Sequence, residues 1–147
     1  AARERLRVSD NLPRYAGSLA SRPAYLPQSD AERDLDLELA RLAATIAVRR
    51  HARAAHPGEA PRDLTEVGIV LGSGGVLRHH PAELTDGLLR SVVTDRAGGW
   101  PLPRSPLVGV DTAYLLVVVG LLAQEGERCH GAARAVAQRL VAELPGR

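Results

Sequence analysis

The sequence predicts an α/β chain, rich in helix, in which a few short strands are covered by helices. Three observations carry this expectation. Val67 to Leu71 is a nearly continuous run of branched apolar residues that leads straight into Gly72-Ser73-Gly74-Gly75, the pattern of a buried strand ending in a turn. Leu35, Leu39, Leu42 and Ile46 recur at helical spacing, with Leu37 off the stripe. Tyr114 to Ala123 is the most apolar stretch, about half the ~20 residues needed to span a bilayer, and reads as a buried helix.

In chain order, residues 1–28 carry Pro13, Pro23 and Pro27 without sustained periodicity. They read as an irregular lead-in, with a short helix near Ala2 to Val8. Ser29 and Glu32 have capping-box spacing and acidic residues crowd the turn that follows, so a helix starts there. Arg49, Arg50 and Arg53 suit its carboxyl end, where the dipole favours cations. It should stop near Ala55, before His56-Pro57-Gly58. The central strand is Val67 to Leu71, with this helix expected to pack nearby. Beyond the glycine turn, Val76 to His80 suits one helical turn, Pro81 restarts the chain, and Ala82 to Val93 forms an amphipathic helix carrying Leu84, Leu88 and Leu89. Asp95 to Pro106 is a Gly/Pro-rich connection around Trp100, with room for a brief strand. Asp111 is placed to cap a helix from Thr112 to Gln124, apolar on nearly all sides and hence expected to be sandwiched. Gly120 inside it costs ~1 kcal/mol relative to Ala, which close packing against another backbone would explain. A last helix, Cys129 to Leu144, aligns Ala132, Val136, Leu140 and Leu144.

Composition narrows the function classes. The 147 residues are 45% hydrophobic and 24% charged, which suits one globular domain and excludes disordered and collagenous classes. Aromatics are 3%, with no Phe, too few for base-stacking nucleic-acid modules. The pI of 9.2 overstates a net charge of only +2. All 19 basic residues are Arg, so neither a GxxxxGK[ST] phosphate loop nor a Lys Schiff base can form. A single cysteine, Cys129, permits no internal disulfide and fits a reducing compartment, with cytoplasm the expectation. Ala1 is neither an initiator Met nor the start of an apolar leader, so a piece of a longer protein is expected.

The glycine turn carries the most chemistry. Glycines at the carboxyl end of a strand permit positive φ and let a ligand approach the backbone, and amides at the following helix start attract anions. Gly72, Ser73, Gly74 and Gly75 therefore read either as a nucleotide-type site or as a ligand-free strand-to-helix turn. A GxGxxG dinucleotide fingerprint matches at Gly72 and Gly74 but meets Leu77 at its third glycine. A GxSxG nucleophile elbow around Ser73 meets Leu71 at its first glycine. No catalytic residue is assigned. His79 and His80 are adjacent, His51 and His56 lie on different helix faces, and Cys129 adjoins His130, so none has metal-ligand spacing. Asp111 reads as a helix cap or as a metal organiser. The Arg49, Arg50 and Arg53 cluster reads as a solvated helix end or a phosphate contact, with Arg50 and Arg53 facing solvent or absent chain.

The stretch Glu66-Val67-Gly68-Ile69-Val70-Leu71-Gly72-Ser73-Gly74-Gly75-Val76-Leu77 resembles the glycine turn of the glutamate mutase MutL family, accessory proteins of B12-dependent aminomutases. Arg49-Arg50-His51-Ala52 resembles that family's Arg-His-Ala-Gly helix end, although Arg53 stands where the glycine belongs. Asp111-Thr112-Ala113-Tyr114, with Val119-Gly120-Leu121-Leu122, resembles its closing helix. Order and spacing agree over residues 29–144.

The resemblance implies an actin-like ATPase of the sugar-kinase and heat-shock superfamily, with residues 29–147 as a carboxyl-terminal subdomain fragment. The backbone of Gly72 to Gly75 would line an adenine-nucleotide pocket. ATP with Mg would bind the full-length parent, whose phosphate hairpins would lie upstream of Ala1, and no nucleotide would bind this fragment tightly. Implied partners are the remaining amino-terminal part of the parent and a B12-dependent mutase, whose assembly or reactivation the parent supports; neither nucleic acid nor membrane is expected. The rival readings are a non-catalytic interaction module that kept the fold without the ligand, and a Rossmann-type dinucleotide-binding fragment.

Overall fold

A computed structural model describes residues 6–54 and 56–144. Among the described residues six helices and two strands follow in the order α1 (Leu12–Ala20), α2 (Asp30–His51), β1 (Ile69–Gly72), α3 (Gly75–His79), α4 (Ala82–Val93), β2 (Leu107–Val110), α5 (Leu115–Gln124) and α6 (Glu127–Ala142). The expected α/β, helix-rich class with a short sheet is what these elements form. They fall into two compact units: Ala1–Glu66 with Arg90–Arg104, and Val67–Leu89 with Ser105–Arg147.

The first unit is built on α1 and α2. The lead-in is not wholly irregular, because Leu12–Ala20 is helical with proline in its first turn, where the missing N–H costs nothing and φ is preset. Of the helix expected near Ala2 to Val8, residues 1–5 lie outside the described residues and Leu6 to Val8 are not helical. Leu12, Tyr15 and Leu42 form a small core flanked by Leu6, Leu19, Leu35 and Leu39. Ile46, expected on this stripe, is 41% exposed; Thr45 takes the inward position and returns its hydroxyl to the Arg41 carbonyl at 2.8 Å.

Ser29 caps α2, its hydroxyl accepting from the Glu32 amide. The reciprocal contact slips by one residue: the Glu32 carboxylate accepts from the Gln28 amide at 2.8 Å and the Tyr25 hydroxyl at 2.7 Å. That amide, and then that hydroxyl, hold the Glu32 pKa below its usual value. The helix ends at His51 and not near Ala55, with Ala52 as cap; Ala55 lies outside the described residues. Residues 64–65 pair with 101–104 through Leu64 N–H to Pro101 O at 2.9 Å and Arg104 N–H to Thr65 O at 3.2 Å. Arg96 braces the same turn by donating to the carbonyls of Leu102 at 3.0 Å and Pro103 at 2.7 Å.

The second unit holds a two-stranded parallel sheet, with Ile69 opposite Leu107 and Gly72 opposite Val110. Two corrections concern these strands. β1 starts at Ile69, and Val67 and Ile69 are 37% and 39% exposed, so the run is not the fully buried central strand expected. β2 at Leu107–Val110 lies just beyond the Gly/Pro-rich connection. Pro103, Pro106 and Gly109 hide a strand of only 4 residues. α4 follows the expected boundaries, and α3, at Gly75–His79, sits one residue before the expected Val76 to His80. Within α4, Leu88 and Leu89 are buried, whereas Leu84 is 51% exposed. α5 starts at Leu115, later than Thr112, and packs on α6; none of its residues is buried, so it is not sandwiched among the described residues. α6 runs from Glu127 to Ala142 and not from Cys129 to Leu144; Ala133, not Ala132, and Leu140 are its buried residues, and Leu144 is buried just beyond its end.

Ser29→Ala should lower stability by about 1 kcal/mol in denaturant titration, the usual loss of an N-cap. Tyr15 gives a sharper expectation. Its hydroxyl is buried without a hydrogen-bond partner among the described residues. Burial, and then the Asp36 and Glu32 carboxylates, push its pKa up to about 12 from an ordinary 10.0. A group that holds its proton more tightly when folded contributes stability that is complete below the unfolded pKa and lost as pH rises through the folded one. Alkaline unfolding should therefore steepen above pH ~10, and Tyr15→Phe should flatten that limb without destabilising the chain at neutral pH.

Candidate functional site

The parallel register places the carboxyl ends of both strands side by side. Leu107 N–H donates to Gly68 O and Asp111 N–H to Gly72 O, each at 2.8 Å, so the ladder runs to the last residue of β1. Two loops leave this end: Gly72-Ser73-Gly74-Gly75 into α3, and Asp111-Thr112-Ala113-Tyr114 into α5. In open α/β sheets this crest is where ligands bind.

The glycines of the first loop are there for different reasons. Gly72 is a packing glycine: a Cβ there would stand 2.5 Å from Leu77 Cδ1 and 2.7 Å from Leu89 Cδ1. Leu77 thus fills the space beside the strand end, which leaves no room for the third-glycine geometry of a dinucleotide fingerprint. Gly74 has φ +122°, a conformation that other residues rarely adopt, and a Cβ on Gly74 or Gly75 would meet nothing within 4 Å. Ser73 is exposed. Backbone at residues 73–75 is therefore approachable from solvent, while Gly72 is sealed against α3 and α4.

Asp111 is 1% exposed. Its carboxylate accepts from the Leu115 and Leu116 amides, each at 2.8 Å. It caps α5 as expected, but from upstream, because Tyr114 occupies the N-cap position in the left-handed region with φ 55°. Both oxygens serve as acceptors for backbone donors, which makes the cap its role here. The Arg78 guanidinium of α3 lies over the Tyr114 ring at 4.9 Å and links the helix after the first loop to the second loop by a cation–π contact. A cavity of about 110 Å³ lies against the second loop, lined by Val110, Asp111, Leu115, Leu140, Glu143 and others. In the first unit a cleft of about 420 Å³ lies between Asn11, Arg14, Tyr15 and Ser18 at α1 and Ala31, Glu32 and Leu35 of α2.

The arginine cluster divides. Arg50 and Arg53 are exposed, as expected, and Arg53 lies 5.4 Å from the Trp100 ring. Arg49 is not solvated: it pairs with Asp95 at 2.6 Å, with side chains 12% and 21% exposed. His79 is exposed, whereas His80 is buried with Nδ1 2.8 Å from the Val76 carbonyl oxygen. Among the described residues no group of three His, Cys, Asp or Glu side chains could hold a metal ion. No helix among them is long and apolar enough to cross a membrane. β2 itself, the later start of α5 at Leu115 and the Arg78–Tyr114 contact were not foreseen from spacing.

The profile of the MutL protein family matches residues 1–140. The chain belongs to the MutL family. Protein MutL of Clostridium tetanomorphum is similar at 30% identity over 112 residues, covering 68% of this chain and 23% of the relative. The chain thus spans about a quarter of that relative's length. No solved structure matches it.

Two substitutions separate packing from openness at the crest of this MutL-family chain. Gly72→Ala should cost about 1–3 kcal/mol through overpacking against Leu77 and Leu89, while Gly75→Ala should stay within about 0.5 kcal/mol of the parent. Asp111→Ala should cost about 2 kcal/mol, since it strips a buried acceptor from two helix-start amides. Thermal or urea unfolding reads all three.

Proposed function

We propose that this chain is the carboxyl-terminal, nucleotide-binding portion of a longer MutL-family protein, an ATPase of actin-like fold, and that the backbone of Gly72, Ser73, Gly74 and Gly75 borders the adenosine side of the nucleotide. The single observation that carries the reading is the turn itself. It leaves the carboxyl end of a parallel strand, its middle glycine has φ +122°, and space lies open above Gly74 and Gly75. A base and ribose need flat, close backbone approach, and glycines without Cβ provide it.

The fit is one-sided. The crest suits an adenosine moiety, whereas the Asp111 carboxylate is engaged by the Leu115 and Leu116 amides and no three-ligand metal group lies among the described residues. Contacts to the phosphates and to Mg belong, on this reading, to the rest of the longer chain. Bound ATP would supply phosphoryl-transfer free energy to the parent. In this chain, Gly72 holds the turn against Leu77 and Leu89, Gly74 sets its direction, and Asp111 fixes the start of α5 beside it. Membership of the MutL family supports the further step, a parent that assists assembly or reactivation of a B12-dependent mutase such as glutamate mutase.

Energetics set the expected affinity. α3 has only 5 residues, and a helix start contributes ~0.3–1 kcal/mol toward an anion, against the ~8 kcal/mol of a micromolar complex. Calorimetry should therefore find Mg-ATP binding to the 147-residue chain no tighter than about millimolar. The full-length protein should bind more tightly, and Gly74→Val there should weaken binding at least ~10-fold, about 1.4 kcal/mol. Micromolar binding by the short chain, or unchanged affinity in the Gly74→Val protein, contradicts the proposal.

A further inference from the structure

α5, Leu-Leu-Val-Val-Val-Gly-Leu-Leu-Ala-Gln, has no charged residue. A helix apolar on every side is ordinarily enclosed on every side. Here it is not. Leu115, Val119 and Leu122, at i, i+4 and i+7, are its half-buried apolar stripe, and α6 is the helix it packs on. Val117, Val118 and Leu121 are 55%, 41% and 60% exposed. Gly120 interrupts this bare face, and a Cβ there would meet nothing within 4 Å. Glycine inside a helix is unfavourable, and the close packing that would justify it is not made by any described residue. The same unit leaves Val67 and Ile69 exposed beside its two-stranded parallel sheet, although parallel sheets are regularly covered on both faces.

We propose that Val117, Val118, Gly120 and Leu121 form a docking surface for an apolar helix belonging to the part of the longer chain that lies outside these residues. Gly120 is the point of closest approach. The inference rests on the reading of this chain as one portion of a longer MutL-family protein. Its occupant follows from three observations. The matched region accounts for 23% of the relative, so most of a relative-length polypeptide lies outside it. The bare face carries no charge to recruit an acidic or basic partner. Gly120 lies beside Val117 on the helix surface, at i+3, and the open space over it leaves room for the side-chain ridge of a helix. Tethering in one polypeptide also spares most of the association entropy that a separate partner would have to overcome.

The test uses Leu121→Glu and the milder Val117→Thr in both the 147-residue chain and the full-length protein. In the short chain both substitutions fall on exposed positions and should leave the melting temperature essentially unchanged. In the full-length protein Leu121→Glu should lower it by several degrees and Val117→Thr by less. A photo-cross-linking residue replacing Leu121 in the full-length protein should join to a helical segment outside this sequence, within the same polypeptide. Cross-linking to a second copy, or no cross-link together with unchanged melting temperatures, overturns the proposal. Mg-ATP affinity of the unsubstituted full-length protein separates the two readings. An intact cross-link without nucleotide binding contradicts only the nucleotide site; tight nucleotide binding without the cross-link contradicts only the docking surface.

Discussion

Parallel pairing of Ile69–Gly72 with Leu107–Val110 is the constraint from which the second unit's geometry follows. Parallel strands need a long crossover, here α3, α4 and the connection after them, and their carboxyl ends then lie together. The bond from Asp111 N–H to Gly72 O closes the ladder at the point where both loops depart. A register shifted by one residue would turn Gly72 away from Leu77 and Leu89 and would carry Asp111 away from the end of β1. The glycine turn, the cap of α5 and the Arg78–Tyr114 contact thus depend on one four-residue ladder.

Among the described residues, three sets of buried polar groups are tied to backbone or to opposite charge, as burial requires. Asp111 accepts from two amides, Arg49 is matched by Asp95, and Thr45 and Thr85 return their hydroxyls to carbonyls of their own helices or the residue before them. The Tyr15 hydroxyl and the Trp100 indole N–H depart from this pattern, and the raised pKa of Tyr15 is the electrostatic counterpart of its burial. Arg49 also shows how an ion pair can be invisible in sequence: Asp95 is 46 residues away, and no local pattern links them.

Local patterns were legible where local forces dominate. Ser29 with Glu32 marked the start of α2, and the boundaries of α4 followed from Pro81 and the leucine spacing. Helix ends were less legible, because Ala52 and Arg53 carry no stop signal before His56-Pro57-Gly58. β2 escaped because a proline-flanked run of 4 residues has too little periodicity to announce a strand. The first helix escaped because Pro13 reads as a breaker unless its place in the first turn is known. At the candidate site, the glycine turn was visible as a motif, but the separate tasks of Gly72 and Gly74 depend on Leu77, Leu89 and a φ angle that sequence does not print. The expectation that α5 would be sandwiched came from its composition, and composition cannot say which chain supplies the cover.

The central claim is that the crest beyond β1 is the adenosine side of a site completed by the rest of a longer MutL-family chain. A crystal structure of the full-length protein with a non-hydrolysable ATP analogue and Mg tests it most directly. The account predicts the adenosine against the backbone of residues 73–75, with phosphate and Mg contacts made from outside this sequence. Nucleotide bound elsewhere, with the Gly72 to Gly75 turn buried against protein alone, would contradict it.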